Sequence, residues 1–475
     1  MTDLAIVILA AGKGTRMRSG RAKVLHEILG EPMLAYPLAT AASLSPARTV
    51  VVAGHQSEEI EKRCGGPGIV VVLQEPQLGS GHAVMAAREA LADFEGNVLV
   101  LYGDVPLVRS PALRALLAEH EREENGITLL AVRLPDPTGY GRILRDPSDW
   151  RVLAIREERD ASPDEKRLDL VHSGVMVAKA PLLLKILERL RPENDQGEYY
   201  LTDVVEIAVS DGLAVGAVET AEADDLQGIN TRAELARAAA LLRSRIAEDH
   251  MAAGVTLIDP ANVWIGPRAV IGADTVIGPG VEIRGETVIG EGCRIENGAT
   301  LESARLGRGV HVKPHCYIRE STLEDEVIIG PMAQLRPETI LRRGSKVGDF
   351  VEIKKSEIGP GSKVNHLAYI GDSTIGARVN VGAGTITCNY DGTEKHRTVV
   401  EDEAFIGSNA QLVAPVTVGR GAYIASGSTI TKDVPGGALA VGRGRQRNIL
   451  GWAERRSRKR GSEAKPGGRP DGENG

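Results

Sequence analysis

Aromatic side chains are scarce in this sequence: Phe, Trp and Tyr together make 3% of its 475 residues. A core built on stacked rings is therefore excluded, and any sizeable interior must be aliphatic. Cysteine is almost as rare, with Cys64, Cys293, Cys316 and Cys388 scattered and no C-x-x-C spacing. That excludes a disulfide scaffold, argues against a zinc site and suits a reducing, cytoplasmic setting. Positive charge is not in excess either, since 57 Lys and Arg face 64 Asp and Glu for a net charge of -7. Nucleic acid and membrane surfaces are thus not expected partners. The apolar N-terminus, MTDLAIVILAAGKG, is too short to span a bilayer and lacks a basic leader or cleavage site.

What the sequence has instead is period. From about Val263 to Val434 one aliphatic residue returns every sixth position: Ile265, Ile271, Ile277, Ile283, Ile289, Ile295 and Leu301, then Ile406, Leu412, Val418, Ile424 and Ile430. Neither a helix nor a hairpin strand predicts that spacing, and a solenoid does. Between these blocks the step shortens to five at Leu301 to Leu306, Ile318 to Leu323, Leu335 to Ile340, Ile353 to Ile358 and Ile370 to Ile375. A coil of three short faces with one tightened corner explains the slips. The reading is a parallel β-helix of triangular section. Each buried Ile or Val contributes roughly 1.5–3 kcal/mol, so a ladder of them holds a fold without aromatics.

Ahead of the ladder, Leu4 to Leu9 forms an apolar run that ends in Ala10-Ala11-Gly12-Lys13-Gly14-Thr15-Arg16, with Lys23-Val24-Leu25-His26 following. A buried strand entering a glycine-rich turn brings backbone N–H groups to phosphate. Further strands at Thr49–Ala53, Ile69–Leu73 and Val98–Tyr102, with helical segments between, predict a doubly wound α/β sheet. Tyr102-Gly103-Asp104 then stands at the carboxyl end of a strand, where open sheets place ligands. An acid there either holds a metal or caps the next helix. Residues 231–252 read as one helix, linking an α/β domain (1–230) to the β-helix (253–452). From 453 onward the chain is polar, basic and glycine-rich, and is expected to be a disordered tail.

The hexad pattern resembles the left-handed β-helix (hexapeptide-repeat) acyltransferases, which are trimers with active sites between neighbouring prisms. Some prisms of this kind only oligomerise their partners. The strings LAAGKGTRM, KVLH and Gln74-Glu75-Pro76-Gln77-Leu78-Gly79-Ser80-Gly81 resemble the sugar-nucleotidyltransferase family. Taken together with Asn365-His366-Leu367-Ala368-Tyr369 and Cys388-Asn389-Tyr390-Asp391-Gly392, they resemble the bacterial bifunctional uridylyltransferase/acetyltransferase family.

That resemblance implies a homotrimer acting on small molecules and making UDP-N-acetylglucosamine for the cell envelope. In the first domain, Leu9, Ala10, Ala11, Gly12, Lys23, Gln74, Gly79, Ser80, Tyr102, Gly103, Asp104, Gly141, Glu157, His172 and Asn230 would bind UTP and the nucleotide sugar. Asp104 and Asn230 would hold Mg2+, and Arg16 and Lys23 would stabilise the transition state. In the β-helix His366 would be the general base. Arg336, Lys354, Tyr369, Asn380 and Lys395 would hold glucosamine 1-phosphate, and Ala383, Asn389, Tyr390, Ser408, Ser426 and Arg443 would meet acetyl-CoA. Two rivals combine the same kinds of domain: a nucleotidyltransferase with a purely structural β-helix, against which the His366 to Tyr369 constellation counts, and a non-catalytic exchange-factor subunit, which need not keep Lys23, Asp104 and Asn230.

The chain departs from the family at Ala22 (usually Pro), Arg159 (usually Lys), Ser426 (often Ala) and His172, where Asn is usual. A histidine reading the sugar would make binding drift as the ring titrates near pH 6.5, unless burial moves it.

Overall fold

The computed structural model describes residues 3–463 and divides the chain into two compact units, Met1–Arg319 and Glu320–Gly475. In the first unit the strand Leu4–Ala10 runs parallel to Arg48–Ala53 on one side and Asn97–Tyr102 on the other. The sheet order is Val215–Thr220, Ile127–Arg133, Leu170–Lys179, Asn97–Tyr102, Leu4–Ala10, Arg48–Ala53, Ile69–Leu73. Only Leu170–Lys179 runs antiparallel to both neighbours on this path. The sheet is buried on both faces: Ala5, Val7 and Leu9 enter one core, Ile6, Ile8 and Ala10 the other. That double burial is why the strand reads as an unbroken apolar run.

Helix Arg232–Ala252 starts at a capping box, in which Glu234 N donates to Thr231 Oγ1 and Thr231 N donates to Glu234 Oε2. Within the first unit this helix and the hairpin near the start of the chain both meet the early coils: the Arg243 guanidinium lies over Trp264, and Arg268 pairs with Glu31.

The coils are three-sided. In the first unit Trp264–Ile265, Glu282–Arg284, Thr300–Glu302 and Tyr317–Arg319 stack in parallel on one face, and two further stacks start at Thr256 and Val270. Ile265, Ile271, Ile277, Ile283, Ile289, Ile295 and Leu301 are all buried. The second unit repeats the pattern, with Ile406, Leu412, Val418, Ile424 and Ile430 inside. One expected slip is wrong. Leu341, not Ile340, fills the ladder: Leu341 is fully buried and stacks between Leu323 and Ile358, whereas Ile340 faces outward beside Thr322 and Glu357. Leu335 to Leu341 is therefore an ordinary step of six.

The turn after Asn389 does interrupt the ladder, pinned by His396 N on the Asn389 carbonyl and by Asp391 beside the His396 ring at 2.7 Å. At the C-terminal end a disordered tail was expected, but Trp452–Glu463 forms a helix. Residues 464–475 lie outside the described residues.

Candidate functional sites

In the first unit, Leu9, Ala10, Ala11, Gly12, Lys23, Gln74, Gly79, Ser80, Tyr102 and Asp104 line one cleft of about 380 Å3, together with Lys13, Gln77 and Glu198. The cleft opens at the carboxyl ends of the two central strands, so backbone turns rather than side chains form much of its wall. The segment after Ile69–Leu73 is clamped by a second one: Gly81 N donates to Tyr199 O, and Tyr199 N to Leu78 O, each at 2.8 Å. Gly79 has φ +106°, and a Cβ there would stand 2.6 Å from Tyr199 O. Only glycine fits, and its carbonyl is thereby aimed at Gln74.

Gln74 is buried, and its Nε2 donates to Gly79 O at 3.0 Å and lies 3.1 Å from His82 Nδ1. A carbonyl can only accept, which fixes the amide orientation and leaves Oε1 as the free acceptor. Gly103 N donates to Leu9 O, and Ile229 N donates to Asp104 O, holding Asn230 nearby. Lys23 is the hub: its Nζ donates to Asp104 Oδ2 and, at 3.1 Å, to Asn230 Oδ1. Asn230 is itself fixed by the capping box, since its N–H also donates to Glu234 Oε2 at 2.6 Å. Ala22 explains its own departure from the family pattern, because its N–H donates to Gln56 Oε1 and proline has no N–H to give.

Gly141, Glu157 and His172 form a neighbouring group rather than part of that cleft's lining. His172 N donates to Gly141 O at 2.9 Å, and Gly141 precedes the hairpin pairing in which Arg142 faces Arg156. Thr202 Oγ1 donates to Glu157 Oε1 at 3.0 Å. Burial raises the Glu157 carboxyl above its usual value, and burial with the charges of Glu157 and Glu206 raises Asp203 to about 6. Arg16 is exposed on the turn Thr15–Met17 and does not line the cleft.

Burial moves the expected titration of His172 away from pH 6.5. The ring is buried in the strand Leu170–Lys179, its Nδ1 has no hydrogen-bond partner among the described residues, and burial lowers its pKa to about 4. It is neutral at physiological pH.

In the second unit the expected residues fall into two groups. On one face Lys354, Lys395 and Arg336 draw together: the Lys354 pKa is lowered by Lys395 against it, by partial burial and by Arg336. Three cations held this close call for an anion. Arg336 is partly neutralised by Glu352 at 3.0 Å, and Glu352 is also the strand neighbour of Tyr369. Asn389 Nδ2 donates to Asp372, and the Tyr390 hydroxyl to Gly392 O.

The other group runs along a corner. His366 is exposed, and Asp349 accepts from its Nδ1 at 2.7 Å from the coil before. Gly384 N donates to His366 O from the coil after, placing Ala383 beside it. Asn409 N donates to Ala383 O and Gly427 N to Ser408 O, so Ala383, Ser408 and Ser426 repeat at one corner, and Arg443 Nη1 donates to Ser426 O at 3.0 Å. A Cβ on Gly407 would lie 2.6 Å from Ser426 N, so these corners nest only because the residue is glycine. Asn380 sits apart on a face, between Lys363 and Phe405.

One partner escaped sequence reasoning: Asp349. Asp349 had a signal, since it precedes His366 by 17 residues, one coil containing one short step.

Comparison with known proteins finds three family models along the chain. Residues 6–159 match the MobA-like NTP transferase domain, 262–303 the hexapeptide repeat of succinyl-transferase, and 397–432 the bacterial transferase hexapeptide (six repeats). Proteins called "Bifunctional protein GlmU" match nearly end to end. That of Pelobacter propionicus is 48% identical over 97% of this chain and 100% of its own length. That of Geobacter sulfurreducens is 48% identical over 96% and 99%, and that of Syntrophotalea carbinolica 49% over 95% and 97%. The chain belongs to the GlmU family. As a GlmU-family member it is a bifunctional enzyme of UDP-N-acetylglucosamine synthesis, a nucleotidyltransferase joined to a hexapeptide-repeat acetyltransferase. Among the described residues no helix is long and apolar enough to cross a membrane.

Proposed function

We propose that the corner carrying His366 acetylates glucosamine 1-phosphate and that the Gln74–Asp104 cleft then uridylylates the product. The observation that carries the reading is the presence, in one chain, of a Lys23–Asp104–Asn230 cluster, a His366–Asp349 pair and a group of three cations around Lys354. A purely structural β-helix needs neither of the last two.

For acetyl transfer, Asp349 accepts the Nδ1 proton, which leaves the His366 Nε2 lone pair as the base. The sugar amine attacks the thioester carbonyl of acetyl-CoA, Nε2 takes the amine proton, and the thiolate of CoA leaves. Arg336, Lys354 and Lys395 hold the sugar phosphate. Tyr369 and Asn380 orient the ring, and Ala383, Ser408, Ser426, Arg443, Asn389 and Tyr390 meet the coenzyme. The corner is exposed in a single chain, and a homotrimer in the cytoplasm, as hexapeptide repeats favour, would close it.

For uridylyl transfer, Gln74 Oε1 accepts from the uracil N–H, and the backbone from Leu9 to Gly12 receives the phosphates. The phosphate of N-acetylglucosamine 1-phosphate attacks the α-phosphorus in line and pyrophosphate leaves. The nucleophile is already an anion, so no base is required. The Asp104 and Asn230 oxygens already converge on one cationic nitrogen, a donor set that fits Mg2+. When bound there, Mg2+ supplies positive charge to the phosphates. Lys23 adds its own, and exposed Arg16 adds charge by moving inward over the phosphates. Glu157 and Gly141 face the sugar.

The deciding experiment is a coupled assay supplying glucosamine 1-phosphate, acetyl-CoA, UTP and Mg2+, with light scattering on the same preparation. Nucleotide sugar from an assembly of three chains is expected. Product only when N-acetylglucosamine 1-phosphate is added would leave a single-activity nucleotidyltransferase.

His172 gives a second test. With a pKa of about 4 the ring stays essentially uncharged from about pH 5.5 to 7.5. The Michaelis constant for N-acetylglucosamine 1-phosphate should therefore hold within about twofold over that range, less than one ordinary hydrogen bond is worth. A steady drift that disappears in His172→Asn would show that the ring titrates against the sugar after all.

A further inference from the structure

The cleft that the proposed function assigns to UTP and Mg2+ already holds a cation of its own. Lys23 is buried, its side chain 10% exposed, and its ammonium donates to both oxygens expected to bind the metal, Asp104 Oδ2 and Asn230 Oδ1. Neither oxygen belongs to a flexible surface side chain. Asp104 is anchored through its carbonyl to Ile229 N, and Asn230 through its N–H to the Glu234 carboxylate that closes the capping box. The pair is thus a preformed two-oxygen seat, and the ammonium and a divalent ion compete for it.

We propose that Lys23 is a built-in counter-ion that keeps the metal seat closed until nucleotide arrives. The inference rests on the reading of Asp104 and Asn230 as metal ligands. Its physics is charge balance. If a divalent ion takes the two oxygens, the buried Lys23 ammonium loses the one carboxylate that pairs with it among the described residues. Leaving a buried charge unpaired is costly. The other charged groups lining the cleft are Lys13, which repels it, and Glu198, which is not ion-paired with it. A triphosphate in the Leu9–Gly12 turn supplies the missing anion, so Lys23 can pass from Asp104 to a phosphate oxygen as the metal enters. Metal and nucleotide therefore bind as a pair, and metal alone binds poorly. One lysine serves twice, first by holding the ligands in place and then by neutralising phosphate.

The test uses the full-length protein without nucleotide and Mn2+ as probe, with free Mn2+ followed by electron paramagnetic resonance. Lys23→Met keeps the length of the side chain and removes its charge. It should bind Mn2+ at least about tenfold more tightly than the unaltered enzyme, the scale of one hydrogen bond to a charged group. Adding Asp104→Ala to that variant should abolish the gain. Equal Mn2+ affinity with and without the Lys23 ammonium, both lost on Asp104→Ala, would overturn the counter-ion role and leave the metal site standing. Mn2+ binding indifferent to Asp104 in every background would overturn the metal reading and this inference with it. Lys23→Leu, also uncharged, gives the same comparison if the methionine variant does not fold.

Discussion

In His366→Gln, acetyl transfer should fall by about 10²–10⁴, the usual worth of a positioned general base. Uridylyl transfer from supplied N-acetylglucosamine 1-phosphate should stay within about threefold, because the two sites belong to different compact units. Glutamine keeps a donor near Asp349 but has no nitrogen lone pair to accept the amine proton. Asp349→Asn makes the comparison sharper. It retains the shape of the partner yet weakens its grip on the Nδ1 proton, so the imidazole loses part of its fixed tautomer and its base strength. The rate should drop less than in His366→Gln, and Asp349→Glu should restore part of it. Initial rates with each substrate pair check all three. An Asp349→Asn enzyme as slow as His366→Gln would mean that the imidazole is no base at all unless the carboxylate fixes its tautomer.

Much of the fold was legible because it rests on period. A buried side chain every sixth residue is a pattern that no helix or hairpin can imitate, and Leu4 to Leu9 could only be a strand covered on both faces. The misreading at Ile340 shows the limit. Two adjacent aliphatic residues both satisfy a hydrophobic ladder, and only the pairing of Leu341 with Leu323 and Ile358 decides which turns inward. The site was legible as residue types and less so as contacts. Coil length alone pairs Asp349 with His366, but that length needs every slip placed correctly. His172 shows a different limit: its titration depends on lying inside a strand antiparallel to both neighbours, which a local motif does not reveal.

Asp104→Ala should do the reverse of His366→Gln, lowering uridylyl transfer by at least about 10²–10³, the scale seen when one preorganised stabiliser of transition-state charge is removed. Acetyl transfer should stay within about threefold. Two losses combine in this substitution. Among the described residues the carboxylate is one of two side-chain oxygens that meet at Lys23, so its removal leaves Asn230 to hold a cation. It also leaves Lys23 without its anionic partner before substrate binds, free to lie against Glu198 or the phosphates in unproductive positions. Asp104→Asn separates the two effects. An amide oxygen can still coordinate a hard cation and still accept from Lys23, but it brings no charge. If geometry is what matters, Asp104→Asn should recover much of the rate at raised Mg2+ concentration while Asp104→Ala does not. If charge is what matters, both should remain slow at any Mg2+ concentration. Uridylyl transfer rates measured across a Mg2+ titration for the two variants distinguish these outcomes. A folded Asp104→Ala enzyme with unchanged uridylyl transfer would remove Asp104 from the site altogether.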